Sequence, residues 1–304
     1  MGVCLKQAVV GVIGILVLPG AFCLEACRAE PAVAPITAPA AVLIPPVVAV
    51  GALPQVVPVF PVGGSWKDLT HPFDAGTIYW PTEKGFLFEA GSNGPTAKGY
   101  YYAANRFTAA EHGGTHLDAP RHFSATGDTA DAIPLEKLVG EGVVIDVTAQ
   151  CAVDPAYEIT ADDLVAWETV HRRPLVDVIV LLRTGWGGRW GNRKAYLGTE
   201  ATGTEGVEQL RFPGLAPLAA RWLADHRRVR GIGIDTASID HGPSTHFESH
   251  VALCGRQIPI FENVADLAEL PEEGAFVVAL PMKIAGGSGG PLRIVAWVPP
   301  ATRP

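Results

Sequence analysis

The sequence predicts an α/β fold built as one domain of about 240 residues. Three observations lead there. Short apolar runs bounded by Gly and Pro recur from Trp66 onward, helix-like segments with capping signals lie between them, and no repeat or heptad divides the region. With 48% hydrophobic and 18% charged residues in 304, the chain has enough apolar material for a sizeable core. Its formal charge of −8 offers no clustered cations to a polyphosphate backbone, which excludes nucleic acid as a partner.

Taken in order, the chain opens with Lys6, an apolar run from Ala8 to Leu18, then Pro19-Gly20 and small residues. This reads as a signal peptide over residues 1–29, so the protein is expected to be exported; a misassigned start would leave it cytoplasmic. The apolar core falls short of the roughly 20 residues a spanning helix needs, so stable membrane insertion is not expected. Residues 30–64 are Ala, Val and Pro with almost no charge and read as an extended tether. Residues 65–304 are then the folded domain. Its two cysteines, Cys151 and Cys254, suit either one disulfide or two buried thiols.

Within the domain, Gly142–Val147, Val176–Leu182, Gly231–Asp235 and Phe276–Leu280 read as buried strands. Ile159–His171 reads as a helix because Thr160 and Asp163 have the spacing of an N-cap arrangement. Pro213–Asp225 reads as a second helix, with Pro213 in its first turn.

Nine histidines are present, and three of them crowd into His112-Gly-Gly-Thr-His116-Leu-Asp118-Ala-Pro-Arg-His122. Imidazole and carboxylate are the ligands that Zn²⁺ and Mn²⁺ favour, and three from one segment leave coordination positions open for chemistry. Gly113, Gly114 and Pro120 argue against a helix here. In an extended segment the even spacing of His112, His116 and Asp118 projects all three to one face. Pro120 interrupts that regularity, leaving His122 close by as an acid/base.

A second cluster runs Ser238-Ile-Asp240-His241-Gly-Pro-Ser-Thr-His246-Phe-Glu248-Ser-His250, with Glu262 beyond it. It is the natural source of further ligands, but spacing alone does not choose among His241, His246 and His250. His241 could line a pocket or cap the turn at Gly242-Pro243. His71 reads as structural. Gly286-Gly-Ser-Gly-Gly290 lacks the Lys-Ser/Thr of a phosphate-binding loop and reads as a flexible turn near the pocket.

The stretch from His112 to Phe123 resembles the signature of the cyclase family, which includes kynurenine formamidases and isatin hydrolases: His-x-Gly-Thr-His-x-Asp-x-Pro-x-His. The resemblance extends to Asp68-Leu-Thr-His-Pro72, Tyr79-Trp80-Pro81, Asp235-Thr-Ala-Ser-Ile-Asp240, Ile260-Phe-Glu262-Asn263 and Leu280-Pro-Met-Lys-Ile284. It implies a swivelling β/β/α arrangement with a mixed sheet. It also implies a first divalent-metal site of His112, His116 and Asp118, with His122 as catalytic acid/base. Asp118 would be shared with a second ion held by His250 and Glu262, one or two ions of Zn²⁺ or Mn²⁺ in all. Trp80 would wall the substrate pocket, and the assembly would be a homo-oligomer such as a dimer.

The activity implied is hydrolysis of a small aromatic amide by a water that the ion activates, arylformamidase-like on N-formylkynurenine first, or opening a cyclic amide such as isatin. His241-Gly-Pro-Ser244 is closer to the isatin-hydrolase branch. Trp80, Phe123 and Trp186 could supply an apolar wall, although a core position is the more ordinary place for Trp186. The rival classes are an inactive relative that binds a small ligand or a metal, and a structural exported protein; neither accounts for retention of His112, His116, Asp118 and His122 together.

Overall fold

The computed structural model describes residues 63–300. The expected leader and nearly all of the expected tether lie outside the described residues. Twelve strands follow one another: β1 Ser65–Asp68, β2 Leu87–Pro95, β3 Tyr101–Thr108, β4 His116–Asp118, β5 Val139–Asp146, β6 Glu158–Ile159, β7 Ile179–Arg183, β8 Gly214–Leu215, β9 Gly231–Ile234, β10 Ile260–Glu262, β11 Ala275–Pro281 and β12 Gly289–Val298. Interleaved with them are α1 Leu135–Leu138, α2 Thr148–Val153, α3 Ala161–His171, α4 Arg193–Leu197, α5 Gly203–Glu208, α6 Pro217–His226 and α7 Glu248–Cys254.

The main sheet is mixed, in the order β1-β12-β11-β5-β7-β9-β10-β4. It closes on itself because the long β12 pairs with β11 along one edge and shares its other edge between β1 and β4. The segment β5-β7-β9-β10 is parallel, and the remaining pairings are antiparallel.

Burial on both faces explains why the central strands read as unbroken apolar runs rather than alternating ones. Val144, Ile179, Leu181 and Phe261 point into the closed sheet with Leu117, Val277 and Ile294. Val143, Ile145, Val180, Leu182, Ile232 and Ile234 point outward against Leu164 and Trp167 of α3, Leu223 of α6 and Leu253 of α7. Cys151 and Cys254 sit in this outer layer as free, buried thiols. A third cluster, around Ile78, Trp186, Tyr196 and Phe212, fills the space beneath the long connections.

The helix over 161–171 is capped as its sequence predicts. The Thr160 side chain accepts from the Asp163 N–H while an Asp163 carboxylate oxygen accepts from the Thr160 N–H. The second predicted helix starts later than expected, with Pro217 rather than Pro213 in its first turn. Gly214 and Leu215 are instead drawn into β8, which pairs with β6. Proline at a first turn is permissive rather than obligatory, and the strand pairing decided between two prolines four residues apart.

The hairpin β2–β3 stands apart from the closed sheet. Its two strands pair only with each other, and every side chain in them except Gly94 is exposed, including Leu87, Phe88, Tyr101, Tyr102 and Phe107.

Candidate metal centre

Strand β4 places His116 and Asp118 on one face, with Leu117 between them turned into the core. Antiparallel pairing sets Glu262 of β10 opposite His116 and Gly289 of β12 opposite Asp118. His112 is not part of the strand. It reaches the same place through a turn in which Gly113 and Gly114 take φ of 151° and 60°, and a Cβ at Gly113 would lie 2.1 Å from the Tyr79 ring. His250 arrives from the first turn of α7.

These side chains converge. His112 Nδ1 lies 2.6 Å from Asp118 Oδ1, and His116 Nε2 is 3.1 Å from that oxygen and 3.4 Å from Glu262 Oε2. His250 Nε2 lies 3.1 Å from both Asp118 Oδ2 and Glu262 Oε1. Among the described residues, two sets of ligand atoms are close enough to hold an ion, His112 with Asp118 and His122, and His116 with Asp118 and Glu262. Asp118 belongs to both. His122 therefore stands where it could ligate as well as exchange protons; its ring stacks on His112 at 3.7 Å.

The outer nitrogen of each deeper imidazole is already engaged. His116 Nδ1 donates to the Gly114 carbonyl at 3.0 Å, and Asn263 Nδ2 donates to the same oxygen. His250 Nδ1 meets Asp240 Oδ2 at 2.6 Å, and that carboxylate also accepts the backbone N–H groups of Ser249 and His250. The nitrogens left over face Asp118 and Glu262, an arrangement typical of metal-ligating histidines.

Charge balance points the same way. Burial pulls the His116 pKa down, but the charge of Asp118, a hydrogen bond to it and the charge of Glu262 outweigh burial and raise it to about 9. Burial likewise opposes the Asp118 carboxylate, yet the charge of His116 and hydrogen bonds from His112, His116 and His250 hold its pKa well below the usual range. Glu262 is pushed up by burial and by Asp118. Two buried carboxylates so close together need positive charge beside them, and this donor set fits a divalent cation binding in exchange for protons.

Above the cluster opens a cavity of about 350 Å³. Trp80, Phe123 and Phe247 line it, with ring centroids 6.1 Å apart for Trp80 and Phe247 and 5.6 Å for Phe123 and Phe247. His122 also faces it. Burial lowers the His122 pKa to about 4, only partly offset by Asp118, so its imidazole is neutral near pH 7.

His112, His116, Asp118, His122, His250, Glu262 and Trp80 thus come together. His241 does not: it is absent from the cavity lining and lies 3.5 Å from Glu158 of β6, turned away by the β6–β8 pairing beneath it. Trp186 also stays outside, buried in the third cluster with its Nε1 donating to the Tyr196 carbonyl. Asp240, Phe247 and Asn263 are site residues to which the sequence reading gave no role; the fold alone sets Phe247 and Asn263 against Phe123 and His116, whereas Asp240 lies in the same local cluster as His250 and could have been found there.

Comparison with known proteins agrees with this geometry. The Cyclase family model matches residues 67–241. An isatin hydrolase of Roseibium aggregatum is 32% identical over 223 residues, covering 71% of this chain and 80% of that protein. A kynurenine formamidase of Paracidovorax citrulli is 28% identical over 238 residues, covering 76% and 96%. Among solved structures, isatin hydrolase A from Ralstonia solanacearum superposes with a TM-score of 0.69 at 33% identity, covering 77% of this chain and 92% of that one. The closed mixed sheet, the ligand-bearing strand and the matched residues together place the chain in the cyclase family of metal-dependent hydrolases.

Proposed function

We propose that the protein hydrolyses the amide bond of a small aromatic substrate, a cyclic amide of the isatin type in the first place and an open-chain aryl formamide such as N-formylkynurenine in the second. The observation that carries this reading is Asp118, shared between two ligand sets at the floor of an apolar cavity. The residues that would hold an ion are His112, His116, Asp118, His250 and Glu262. Such an ion, Zn²⁺ or Mn²⁺, supplies Lewis acidity, lowering the pKa of water from about 16 towards 7 and polarising a carbonyl.

The chain's own residues do the rest. Trp80, Phe123 and Phe247 take the aromatic ring and orient the amide over the carboxylates. His122, neutral and at the cavity wall, accepts a proton as water adds to the carbonyl and returns one to the departing nitrogen. Relatives named for both substrates leave the choice between them open, and the lining favours the cyclic one. None of the lining residues is Lys or Arg, so the amino-acid carboxylate of N-formylkynurenine would enter without a counter-charge, whereas a neutral bicycle needs none.

The test is hydrolysis of isatin and of N-formylkynurenine by the metal-stripped chain, before and after Zn²⁺ or Mn²⁺ is restored. Activity is expected only with metal. It should vanish in Asp118→Ala and fall about 10²- to 10⁴-fold in kcat in His122→Gln at unchanged metal content. Metal-independent turnover would overturn the proposal.

Two further parts of it concern the whole chain. The N-terminal 29 residues act as a signal peptide, supported by their apolar run and Pro-Gly break. The protein is a homo-oligomer, supported by the exposed aromatic hairpin β2–β3.

A further inference from the structure

The glycine-rich segment 286–290, just before and at the start of β12, takes no part in the chemistry above. A turn is present at Gly286, as its composition suggests, and the residues after it are hydrogen-bonded to neighbouring segments. Gly289 and Gly290 pair with Asp118 and Leu117 of β4, the Ala119 N–H donates to the Ser288 carbonyl at 2.8 Å, and the Ala130 N–H donates to the Gly287 carbonyl at 2.9 Å.

Ser288 is held here against two side chains at once. Its backbone N–H and its hydroxyl both reach Oε2 of Glu111, at 3.0 and 2.5 Å, and the hydroxyl oxygen lies 2.9 Å from His112 Nε2. A serine hydroxyl has one proton, and an ionised carboxylate only accepts. With that proton given to Glu111, the hydroxyl oxygen has only lone pairs to offer His112. His112 must then carry a hydrogen on Nε2, and Nδ1, 2.6 Å from Asp118, is the nitrogen left to trade its hydrogen bond for an ion.

The glycines on either side are what allow the approach. A Cβ at Gly287 would lie 2.8 Å from Glu111 Oε1, and one at Gly289 would lie 2.6 Å from His112 Cε1 and 2.5 Å from the Leu117 carbonyl. Any side chain at either position would lift Ser288 off Glu111 or push the imidazole out of place.

We infer that Glu111 and Ser288 are positioning residues that fix the tautomer and ring plane of His112, so that Nδ1 is the nitrogen it presents to the ion. This rests on the metal-centre reading but not on the identity of the substrate. His112 is the most exposed ligand and the one outside regular structure, so it depends most on such support; His116 and His250 have the Gly114 carbonyl and Asp240 in the corresponding place.

The experiment reads metal and tautomer rather than turnover. Zn²⁺ affinity of the metal-stripped full chain is measured by competition with a chromophoric chelator for the wild type, Ser288→Ala, Glu111→Ala, the double variant and Ser288→Thr. In parallel, long-range ¹H–¹⁵N NMR of ¹⁵N-histidine-labelled, Zn²⁺-loaded wild type identifies the protonated nitrogen of His112. Each alanine variant is expected to bind Zn²⁺ about 10- to 100-fold more weakly. The double variant should lose no more than either single one, since the two act in series, and Ser288→Thr should restore affinity.

The NMR spectrum should show His112 protonated at Nε2 and ligating through Nδ1. Unchanged affinity in Ser288→Ala, fully additive losses, or ligation through Nε2 would each overturn the inference. A wild type that binds no divalent cation would overturn the metal centre itself along with it. Because the tautomer is read on the wild type, a variant that fails to fold does not shield the inference.

Discussion

Asp240 carries no chemistry of its own, yet it grips His250 through both a side-chain and a backbone hydrogen bond. Asp240→Asn should keep the backbone contact while weakening the hold on Nδ1, lowering Zn²⁺ affinity about 10- to 100-fold; chelator competition measures this. A second residue-scale case is His71, whose ring stacks on Trp190 at 4.0 Å with its Nε2 buried and unpartnered. Burial lowers its pKa from 6.5 to about 4.

Between those values the unfolded chain binds the proton and the fold does not, so His71 favours folding above about pH 6.5 and that contribution drains away as pH falls to about 4. His71→Phe keeps the stacking and removes the titration. Its stability relative to wild type should therefore improve from pH 7 to pH 5, as compared by urea unfolding at the two values. At this scale His112, His116, Asp118 and His122 were readable because they share eleven residues of chain. Ser288 and Phe247 were not, since Glu111, His112 and Phe123 come to them from distant segments; Asp240 lies near His250 in sequence, but an aspartate on a loop is too common to be singled out without the fold.

Elements follow the same division. The capping box on α3 is local and was visible as Thr160 and Asp163; Thr160→Ala should cost about 1 kcal/mol and lower Tm by about 2–4 °C, which a thermal melt would register. The beginning of α6 was not decided locally, because Pro213 and Pro217 are equally acceptable first-turn residues and only the pairing of Gly214–Leu215 with Glu158–Ile159 excludes the earlier start. The central strands were found but not their faces. With both sides buried, their apolar runs contain no alternation from which inside and outside could be told. The hairpin β2–β3 escaped notice for the opposite reason, as exposure on both sides leaves no hydrophobic period at all.

At the scale of the whole molecule, that hairpin is the feature left incomplete by the fold. A two-stranded ribbon is marginal alone, and Phe88 lies directly opposite Phe107 with the two side chains 60% and 51% exposed. If a second copy covers them, Phe88→Ser combined with Phe107→Ser should shift the native mass towards the monomer in light scattering coupled to size exclusion. A wild type that already runs as a monomer would remove the homo-oligomer from the proposal.

The ligand types were legible in the sequence, and a strand's two-residue period puts His116 and Asp118 on a shared face; the same spacing argument did not hold for His112, which reaches them through the turn at Gly113 and Gly114. The choice of His250 over His241 and His246 came from resemblance, and its physical basis is tertiary: α7 aims His250 at Asp118 while β6 and β8 hold His241 beside Glu158. The cavity, the tautomer-fixing contacts of Glu111 and Ser288, and the closing of the sheet through β12 belong to the tertiary structure alone. They depend on which distant segments are brought within hydrogen-bond distance, and no local preference encodes that.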